Sequence, residues 1–277
     1  MSDQRTAVGG HSDVLARSPM FGPLRVHGGD LFGPVRPGLD DLQRLFDRRN
    51  PPVRVAGGQP LRIVRQGRKP GRFEEKYEAR IFLKGELQVR KDDWHDTFNA
   101  LVWLAFPQAK AALNARHYTA LREQVAAGAP NRGPAQDALT LFDEGGVIVA
   151  SSDDELLELL RKWRWKELFW CNRARLTARM RFHLFGHALY EKALLPYTGI
   201  TGRGILLKVE PGLLAASPMA QLAGLDARIA EHVSGPLHLT TTRELAVVPI
   251  LGVPGWCAGN EREAYYDDTD YFRPARR

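Results

Sequence analysis

The sequence predicts an α+β protein that is mainly helical, with a few short strands and hairpins. Apolar residues recur at helical spacing over several long stretches, whereas the runs with strand character are short. The 277 residues are 44% hydrophobic and 26% charged, which is enough apolar material for a core without disulfides or zinc. We expect residues 1–36 to be a flexible N-terminal lead-in and residues 37–277 to form a single globular domain.

The composition favours a cytoplasmic location. The two cysteines are far apart and lack CxxC spacing, as in proteins of a reducing compartment. The N-terminus has no apolar segment typical of a secretory signal, and the longest apolar run, 100–106, is too short to cross a bilayer. We therefore expect no integral membrane association. The net charge of +7 favours an anionic small molecule or nucleic acid as partner, and the oligomeric state is not indicated.

In the first half of the chain, five elements are predicted from apolar spacing and helix-start signals. A short helix is predicted within 37–49, and strands at 61–66 and 77–85 are predicted to form a hairpin around a basic loop. A helix is expected from about 93 to 106. Pro107 suits the first turn of a second helix, where its missing N–H is not needed.

The second half is predicted to alternate strands and helices. Residues 139–150, "LTLFDEGGVIVA", have two apolar runs around paired glycines and predict a β-hairpin. Ser152 with Glu155 has the pattern of a capping box, after which helical periodicity continues, with a break, to Pro196. A strand is predicted at 204–209, and a helix from Ser217–Pro218 to Gly235.

Polar side chains interrupt the most apolar predicted helices. His95 and Asn99 are four residues apart and share a face, and Lys110, Asn114 and His117 form a similar row on the next helix. The two rows converge if the helices pair across Pro107. His187 and Glu191 form another pair at i,i+4, after Gly186, which permits close backbone approach.

These rows predict a shared cleft suited to acid–base chemistry or to a metal. The predicted catalytic residues are His95 as base, Asp96 as its orienting group, Asn99 as hydrogen-bond donor, and His187 with Glu191 as a second acid–base or metal pair. The predicted substrate-binding residues are Arg90, Lys110, Asn114, His117, Asp143 and Lys192. No HExxH-like spacing identifies a metal, so the cofactor is unknown, although a divalent metal can be accommodated.

Two alternatives stay open beside this hypothesis. The polar groups can instead be core architecture, each satisfied by backbone hydrogen bonds, and Asp143 can simply form the turn of the hairpin. In addition, residues 161–183 interleave Trp163, Trp165 and Trp170 with many basic residues, and Arg175, Arg179 and His183 are predicted to share a helical face. That composition is typical of nucleic-acid binding, but also of tryptophans in a core with arginines at its edge.

Several blocks in a fixed order give the chain a resemblance to a known family. They are "YEARI" with Gly85 and Arg90, then "WHDTFNALVWLAFPQAKAALNARH", "LTLFDEGGVIVAS", "FGHALYEK", "PILGVPGWCAGN", "YYDD" and "YFRP". Over roughly residues 50–275 the chain resembles the bacterial domain-of-unknown-function family numbered three-zero-two-five. The resemblance implies one domain and no assigned activity.

Taken together, the sequence favours a hydrolase of small molecules or phosphate esters with a His/Asp/Asn/Glu cleft. The alternatives are a nucleic-acid-associated module that uses residues 161–183, and a non-catalytic structural or interaction protein.

Overall fold

The structure is a computed structural model that describes residues 14–29, 36–67, 69–128 and 131–274. Helices dominate it, and two small sheets complete an α+β fold, which confirms the predicted class. The α-helices are α1 (Gly22–Gly28), α2 (Leu39–Arg48), α3 (Tyr77–Lys84), α4 (Trp94–Ala105), α5 (Pro107–Ala126), α6 (Pro134–Gly145), α7 (Asp154–Arg161), α8 (Arg173–Arg179), α9 (His187–Ala193), α10 (Pro211–Ala215) and α11 (Pro218–Ser234). The strands are β1 (Arg62–Arg65), β2 (Glu86–Val89), β3 (Gly146–Ser151), β4 (Met180–Leu184), β5 (Thr201–Lys208) and β6 (Ala246–Pro249).

The larger sheet has the strand order β4-β3-β5-β6. β3 is antiparallel to β4 and parallel to β5, and β6 is antiparallel to β5. All six residues of β3 are buried. A short run that is apolar on both faces, as in β3, belongs in the centre of a sheet covered on both sides.

α4 is deeply embedded in the fold, because every residue from Thr97 to Ala105 is buried. Asp93 begins the helix by accepting a hydrogen bond from the Asp96 backbone N–H, and α5 starts at Pro107 as predicted. α5 packs against α11, while α9 packs against α4, so that the first turns of α4 and α9 meet. Among the described helices, none is both long and apolar enough to cross a membrane.

The predicted hairpin of 61–66 with 77–85 is wrong. Residues 77–84 form helix α3, and β1 pairs in parallel with β2, so α3 is the crossover between the two strands. Gly85 follows α3 in the left-handed conformation, with φ of +65°, which is the usual end of a helix. Tyr77, Ile81 and Phe82 favour strands by propensity, but packing of α3 against α5 overrides that preference.

The predicted hairpin at 139–150 is also wrong. Residues through Gly145 belong to α6, which begins with Pro134 in its first turn, and only β3 is a strand. Asp143 and Glu144 therefore lie in the last turn of a helix rather than in a hairpin turn. This difference determines the position of the functional site.

Between 152 and 235 the predictions hold in part. The predicted strand 204–209 appears as β5, and α11 follows its Ser217 cap and ends before Gly235 as expected. The N-cap of α7 is Asp153 rather than Ser152, because the Asp153 carboxylate accepts two backbone N–H bonds of the first turn. His183 lies on β4, so the predicted helical face with Arg175 and Arg179 does not exist.

Part of the predicted flexible lead-in is core. Residues 14–17 are helical, and Leu15, Phe21 and Leu24 are 1%, 0% and 1% exposed. The other residues of that segment, 1–13 and 30–35, lie outside the described residues. Buried apolar side chains of the described residues form a cluster that extends from Leu15 to Phe272. The assignment of 37–277 as one domain stays a prediction.

Candidate metal centre

Two histidines from different helices face each other where α4 meets α9. His95 lies in the first turn of α4, and His187 is the first residue of α9. Their Nε2 atoms are 3.1 Å apart, and their rings meet edge to face at 78°. Because each nitrogen either carries a proton or offers a lone pair, two nitrogens this close share a proton or a cation.

Glu144, in the last turn of α6, completes a cluster of three. Its Oε2 lies 3.6 Å from Nε2 of His187 and 3.8 Å from Nε2 of His95. One ligand atom of each residue lies within 4.8 Å of the others, the only such group of His, Cys, Asp and Glu among the described residues. Ligands about 2.0–2.2 Å from a tetrahedral ion are about 3.3–3.6 Å from one another. The three separations are therefore close to those of a metal site.

Gly186 brings the Glu144 and His187 segments together. The N–H groups of Phe185 and Gly186 both donate to the Gly146 carbonyl at 2.9 Å. A Cβ atom at Gly186 would lie 2.4 Å from both the Glu144 carbonyl oxygen and the Gly146 nitrogen. Only glycine fits there, so the close approach predicted for Gly186 is confirmed.

The environment keeps His187 unprotonated. Burial lowers the pKa of His187 to about 4, and the charges of Lys110 and His95 act in the same direction against the opposing carboxylate of Asp143. Burial raises the pKa of Glu144, and the nearby carboxylates of Asp143 and Glu191 also raise it. A neutral imidazole and a carboxylate that is costly to leave unpaired both favour a bound cation.

A carboxylate lies on the Nδ1 side of each histidine, opposite the paired Nε2 atoms. Glu191 Oε2 is 3.1 Å from Nδ1 of His95, and Asp143 Oδ2 is 3.9 Å from Nδ1 of His187. Asp143 in turn accepts a hydrogen bond from Lys110, whose side chain is 4% exposed. Burial alone would raise the pKa of Asp143, but the charge of Lys110 and the neighbouring histidines hold it low. A carboxylate that hydrogen-bonds to a histidine, as Glu191 does, commonly orients a metal-binding imidazole, whereas Nδ1 of His187 has no hydrogen-bond partner among the described residues.

The cluster opens into a cleft of about 670 Å³, a volume that suits a small ligand. Asn99 Nδ2 donates to the Tyr77 hydroxyl, and Asn114 Nδ2 donates to Glu78 Oε2 at 2.7 Å. The hydroxyl of Tyr77 keeps its proton, because burial and the nearby carboxylates raise its pKa well above its usual value. In the described part of the chain, Oδ1 of Asn99 and of Asn114 has no hydrogen-bond partner.

A family model described as "Protein of unknown function (DUF3025)" matches residues 61–276. The chain belongs to this family. The match confirms the resemblance noted from the sequence blocks, and the family's description assigns no activity. No curated protein and no solved structure matches the chain.

Most of the predicted site residues of this family member come together. Those that line the cleft are Arg90, His95, Asp96, Asn99, His117, Asp143 and His187. Glu191 contacts His95, Lys110 contacts Asp143, and Asn114 contacts Glu78 just beneath the cleft. Lys192 is exposed on α9 and is not part of the lining, so its predicted substrate contact has no support.

The predicted roles of Asp96 and Arg90 need correction. Arg90 Nε and Nη2 donate to the two Asp96 oxygens at 2.8 and 2.9 Å, and the Arg90 backbone N–H donates to Asp96 at 2.7 Å. Asp96 therefore joins β2 to the start of α4, and the carboxylate that hydrogen-bonds to His95 is that of Glu191. The Arg90 guanidinium is already paired with the Asp96 carboxylate, so it is not available to bind an anionic substrate.

Sequence reasoning did not find Glu144, which was placed in a hairpin turn. Pro134 marks the start of a helix, and a helix from that residue puts Thr140 and Glu144 on one face. That signal places Glu144 on a helix, although it does not show that this helix faces the cleft. The pairing of Tyr77 with Asn99 was missed for the same reason, since Tyr77 was assigned to a strand.

In the basic segment 161–183, a tryptophan is part of the core and most of the cations form ion pairs within the protein. Trp165 is buried, and its Nε1 donates to the Arg273 carbonyl at 2.8 Å. Cations of this segment that pair with carboxylates are Arg161, Lys162, Arg164, Lys166, Arg173 and Arg175. The structure thus offers the nucleic-acid alternative little free positive charge.

Proposed function

We propose that this chain is a metal-dependent hydrolase of small molecules, phosphate esters among them, and that His95, Glu144 and His187 bind a divalent metal. The observation that supports this most is the convergence of their three ligand atoms within 4.8 Å. Histidines that only stabilise a core bond to carbonyl or carboxylate oxygens. The Nε2 atoms of His95 and His187 instead face each other and a third ligand.

The cluster has the features of a catalytic metal site. It offers three protein ligands, and all three line the cleft. Structural zinc sites use four protein ligands, whereas catalytic sites keep one position for water or substrate. A divalent metal supplies polarisation of a substrate oxygen and a bound water of lowered pKa.

The proposal changes the roles expected from sequence. As ligands, His95 and His187 present unprotonated Nε2 atoms, so neither acts as a general base. Glu191 holds the His95 imidazole in the required tautomer from its Nδ1 side, and the negative charge of Asp143 lies 3.9 Å from Nδ1 of His187. Tyr77, Asn99 and His117, which line the cleft, contact the substrate.

Metal dependence of hydrolysis tests the proposal. The protein is stripped with a chelator, reloaded with zinc, manganese, cobalt or magnesium, and assayed with 4-nitrophenyl esters of carboxylic and phosphoric acids. We expect activity only after reloading, and a loss of more than about 100-fold in Glu144→Gln, since a missing ligand exceeds the effect of a missing supporting group. Glu210→Gln, at an exposed position, is the matched control. Hydrolysis that survives both the chelator and Glu144→Gln contradicts the proposal.

A further inference from the structure

Two cations beside the proposed metal site are already bound to carboxylates. Arg90 forms a two-point pair with Asp96 and lies 3.1 Å from Asp93. Lys110 is buried against Asp143. Phosphoryl transfer relies on free arginine, lysine or further metal ions to balance the charge of the phosphoryl oxygens. Neither of these two cations can take that role without breaking its pair.

The described residues also supply ligands for one metal ion rather than for two. Two-metal sites hold their ions about 3.5–4 Å apart, which requires further carboxylates on the same side. Of the other carboxylates nearby, Glu191 and Asp143 face the Nδ1 atoms of the histidines, away from the paired Nε2 atoms. Those of Asp96 and Glu78 are bound to Arg90 and Asn114. Two histidines and one glutamate around a single zinc is a ligand set of enzymes that hydrolyse peptide bonds.

Neutral hydrogen-bonding groups dominate the rest of the cleft. Carboxamides that line it are Gln66, Gln88, Asn99, Gln124, Asn131 and Gln136. The protonated hydroxyl of Tyr77 is a donor suited to a carbonyl oxygen, and Asn99 Oδ1 is a buried acceptor without a partner among the described residues. An amide or ester group matches these donors and acceptors better than a dianionic phosphate does.

Positive charge that is not paired with a carboxylate is found at two exposed positions of the cleft. Lys76 and Arg132 line the cleft and are exposed. Within the described residues, neither is within ion-pair distance of a carboxylate, and the hydrogen bond recorded there for the Arg132 side chain is to the Thr140 hydroxyl, at 3.3 Å. They can therefore bind an anionic group carried by the substrate away from the bond that is cleaved.

We propose that the scissile group is a carbonyl, an amide or ester of a small molecule that carries a carboxylate, and that Lys76 and Arg132 bind this carboxylate. The inference rests on the proposed metal-dependent hydrolysis. Water adds to the carbonyl carbon, and the C–N or C–O bond breaks with its electron pair on the leaving group. One proton of that water goes to the departing amine or alcohol and the other is released to solvent, so the products are a carboxylate and the amine or alcohol.

Matched chromogenic probes test the inference on the metal-loaded full chain. The 4-nitrophenyl monoester of glutarate is compared with 4-nitrophenyl butyrate, which lacks the carboxylate, and with 4-nitrophenyl phosphate; the glutaryl and butyryl 4-nitroanilides repeat the comparison for amides. We expect the glutaryl probes to have the highest kcat/KM. In Arg132→Gln, the ratio of glutaryl to butyryl kcat/KM should fall about tenfold through KM, the loss of one charge-assisted hydrogen bond. Arg122→Gln, exposed on α5 outside the cleft lining, should leave the ratio unchanged.

The outcomes separate this inference from the proposed function. Preferential cleavage of 4-nitrophenyl phosphate, or an unchanged ratio in Arg132→Gln, overturns the carbonyl inference while metal-dependent hydrolysis stands. If the metal-loaded protein cleaves none of the probes, or cleaves them equally well after chelation, the proposed function fails together with the inference.

Discussion

His187 and Asp143 show how single buried residues depend on their partners. Nε2 of His187 faces His95, while Nδ1 faces a carboxylate that is itself paired with Lys110. A buried ion pair adds little stability when it is intact, but its disruption leaves one buried charge without a partner. Lys110 therefore supports the site by pairing with Asp143, although it is neither a proposed metal ligand nor part of the cleft lining.

Replacement of Lys110 with methionine tests this dependence. Lys110→Met should lower the free energy of unfolding by about 3 kcal/mol, because the Asp143 carboxylate stays buried without its cation. Lys208→Met is the matched control, since Lys208 pairs with Asp154 at 51% and 75% side-chain exposure and should change stability by less than about 1 kcal/mol. Urea unfolding measures both, and equal effects of the two substitutions would contradict the assignment.

At this scale the sequence predicted a good part of the site. His95, Asn99, Lys110 and His117 stood out because they interrupt apolar helical rows, and the structure brings both rows to one cleft. Their partners could not be predicted, since the contact of His95 with Glu191 spans 96 residues. Local spacing identifies residues that share a face, but it does not show which distant element covers that face.

The junction of α6 with β3 is the element that places the ligands. Glu144 ends α6, His187 begins α9, and the close contact at Gly186 fixes the distance between them. This junction was predicted incorrectly because the apolar residues on both sides of "DEGG" fit a hairpin as well as a helix followed by a strand. Pro134, which starts α6, was the local signal that distinguished the two structures.

A methyl group at Gly186 should separate the ligands. In Gly186→Ala the new Cβ meets the Glu144 carbonyl and the Gly146 nitrogen at 2.4 Å, so the backbone must shift and metal affinity should fall at least about tenfold. Gly145→Ala is a close control, because its Cβ meets nothing within 4 Å. Isothermal titration with zinc measures both affinities. Equal affinities in a folded Gly186→Ala protein would argue against the role of this junction.

A histidine on β4, away from the site, makes the stability of the fold depend on pH. His183 lies opposite Ile148 on β3, and burial, with the charge of Arg181, lowers its pKa to about 4. Below about pH 6.5 the unfolded chain binds a proton that the folded chain does not, so stability falls as the pH falls towards about 4. This residue alone should remove about 2 kcal/mol between about pH 6.5 and pH 5.

His183→Gln isolates that contribution. Urea unfolding of the chelator-treated wild type and variant, at about pH 7.5 and about pH 5, should show a drop that is about 2 kcal/mol smaller in the variant. Comparison of the two proteins cancels the other titrating groups, His187 included. The same drop in both proteins would contradict a His183 that stays neutral in the folded protein.

For the whole molecule, the core extends to the N-terminal residues that the sequence analysis assigned to a lead-in. Phe21 is fully buried and lies 5.9 Å from the Phe98 ring and 5.6 Å from the Tyr190 ring. Phe98 and Tyr190 belong to α4 and α9, the two helices that carry the paired histidines. The Gly- and Pro-rich composition of that segment did not indicate burial, which follows only from the faces that α4 and α9 leave to be covered.

Truncation of this side chain should affect the molecule as a whole. Phe21→Ala should lower the free energy of unfolding by about 3–5 kcal/mol, the usual cost of a large cavity in a core. Leu237→Ala, at a position 84% exposed, should be nearly neutral and serves as control. Urea unfolding followed by circular dichroism provides the comparison, and a Phe21→Ala protein as stable as the control would place the segment outside the core.

Metal content of the protein, purified without chelator and dialysed against trace zinc, decides whether His95, Glu144 and His187 bind a cation. We predict one metal ion per chain in the wild type and in Glu210→Gln, and less than about one tenth of that in His187→Ala and Glu144→Gln, with folded variants confirmed by circular dichroism. A wild type without stoichiometric metal, or a His187→Ala protein that binds as much as the wild type, would contradict the metal centre and the hydrolase proposed from it.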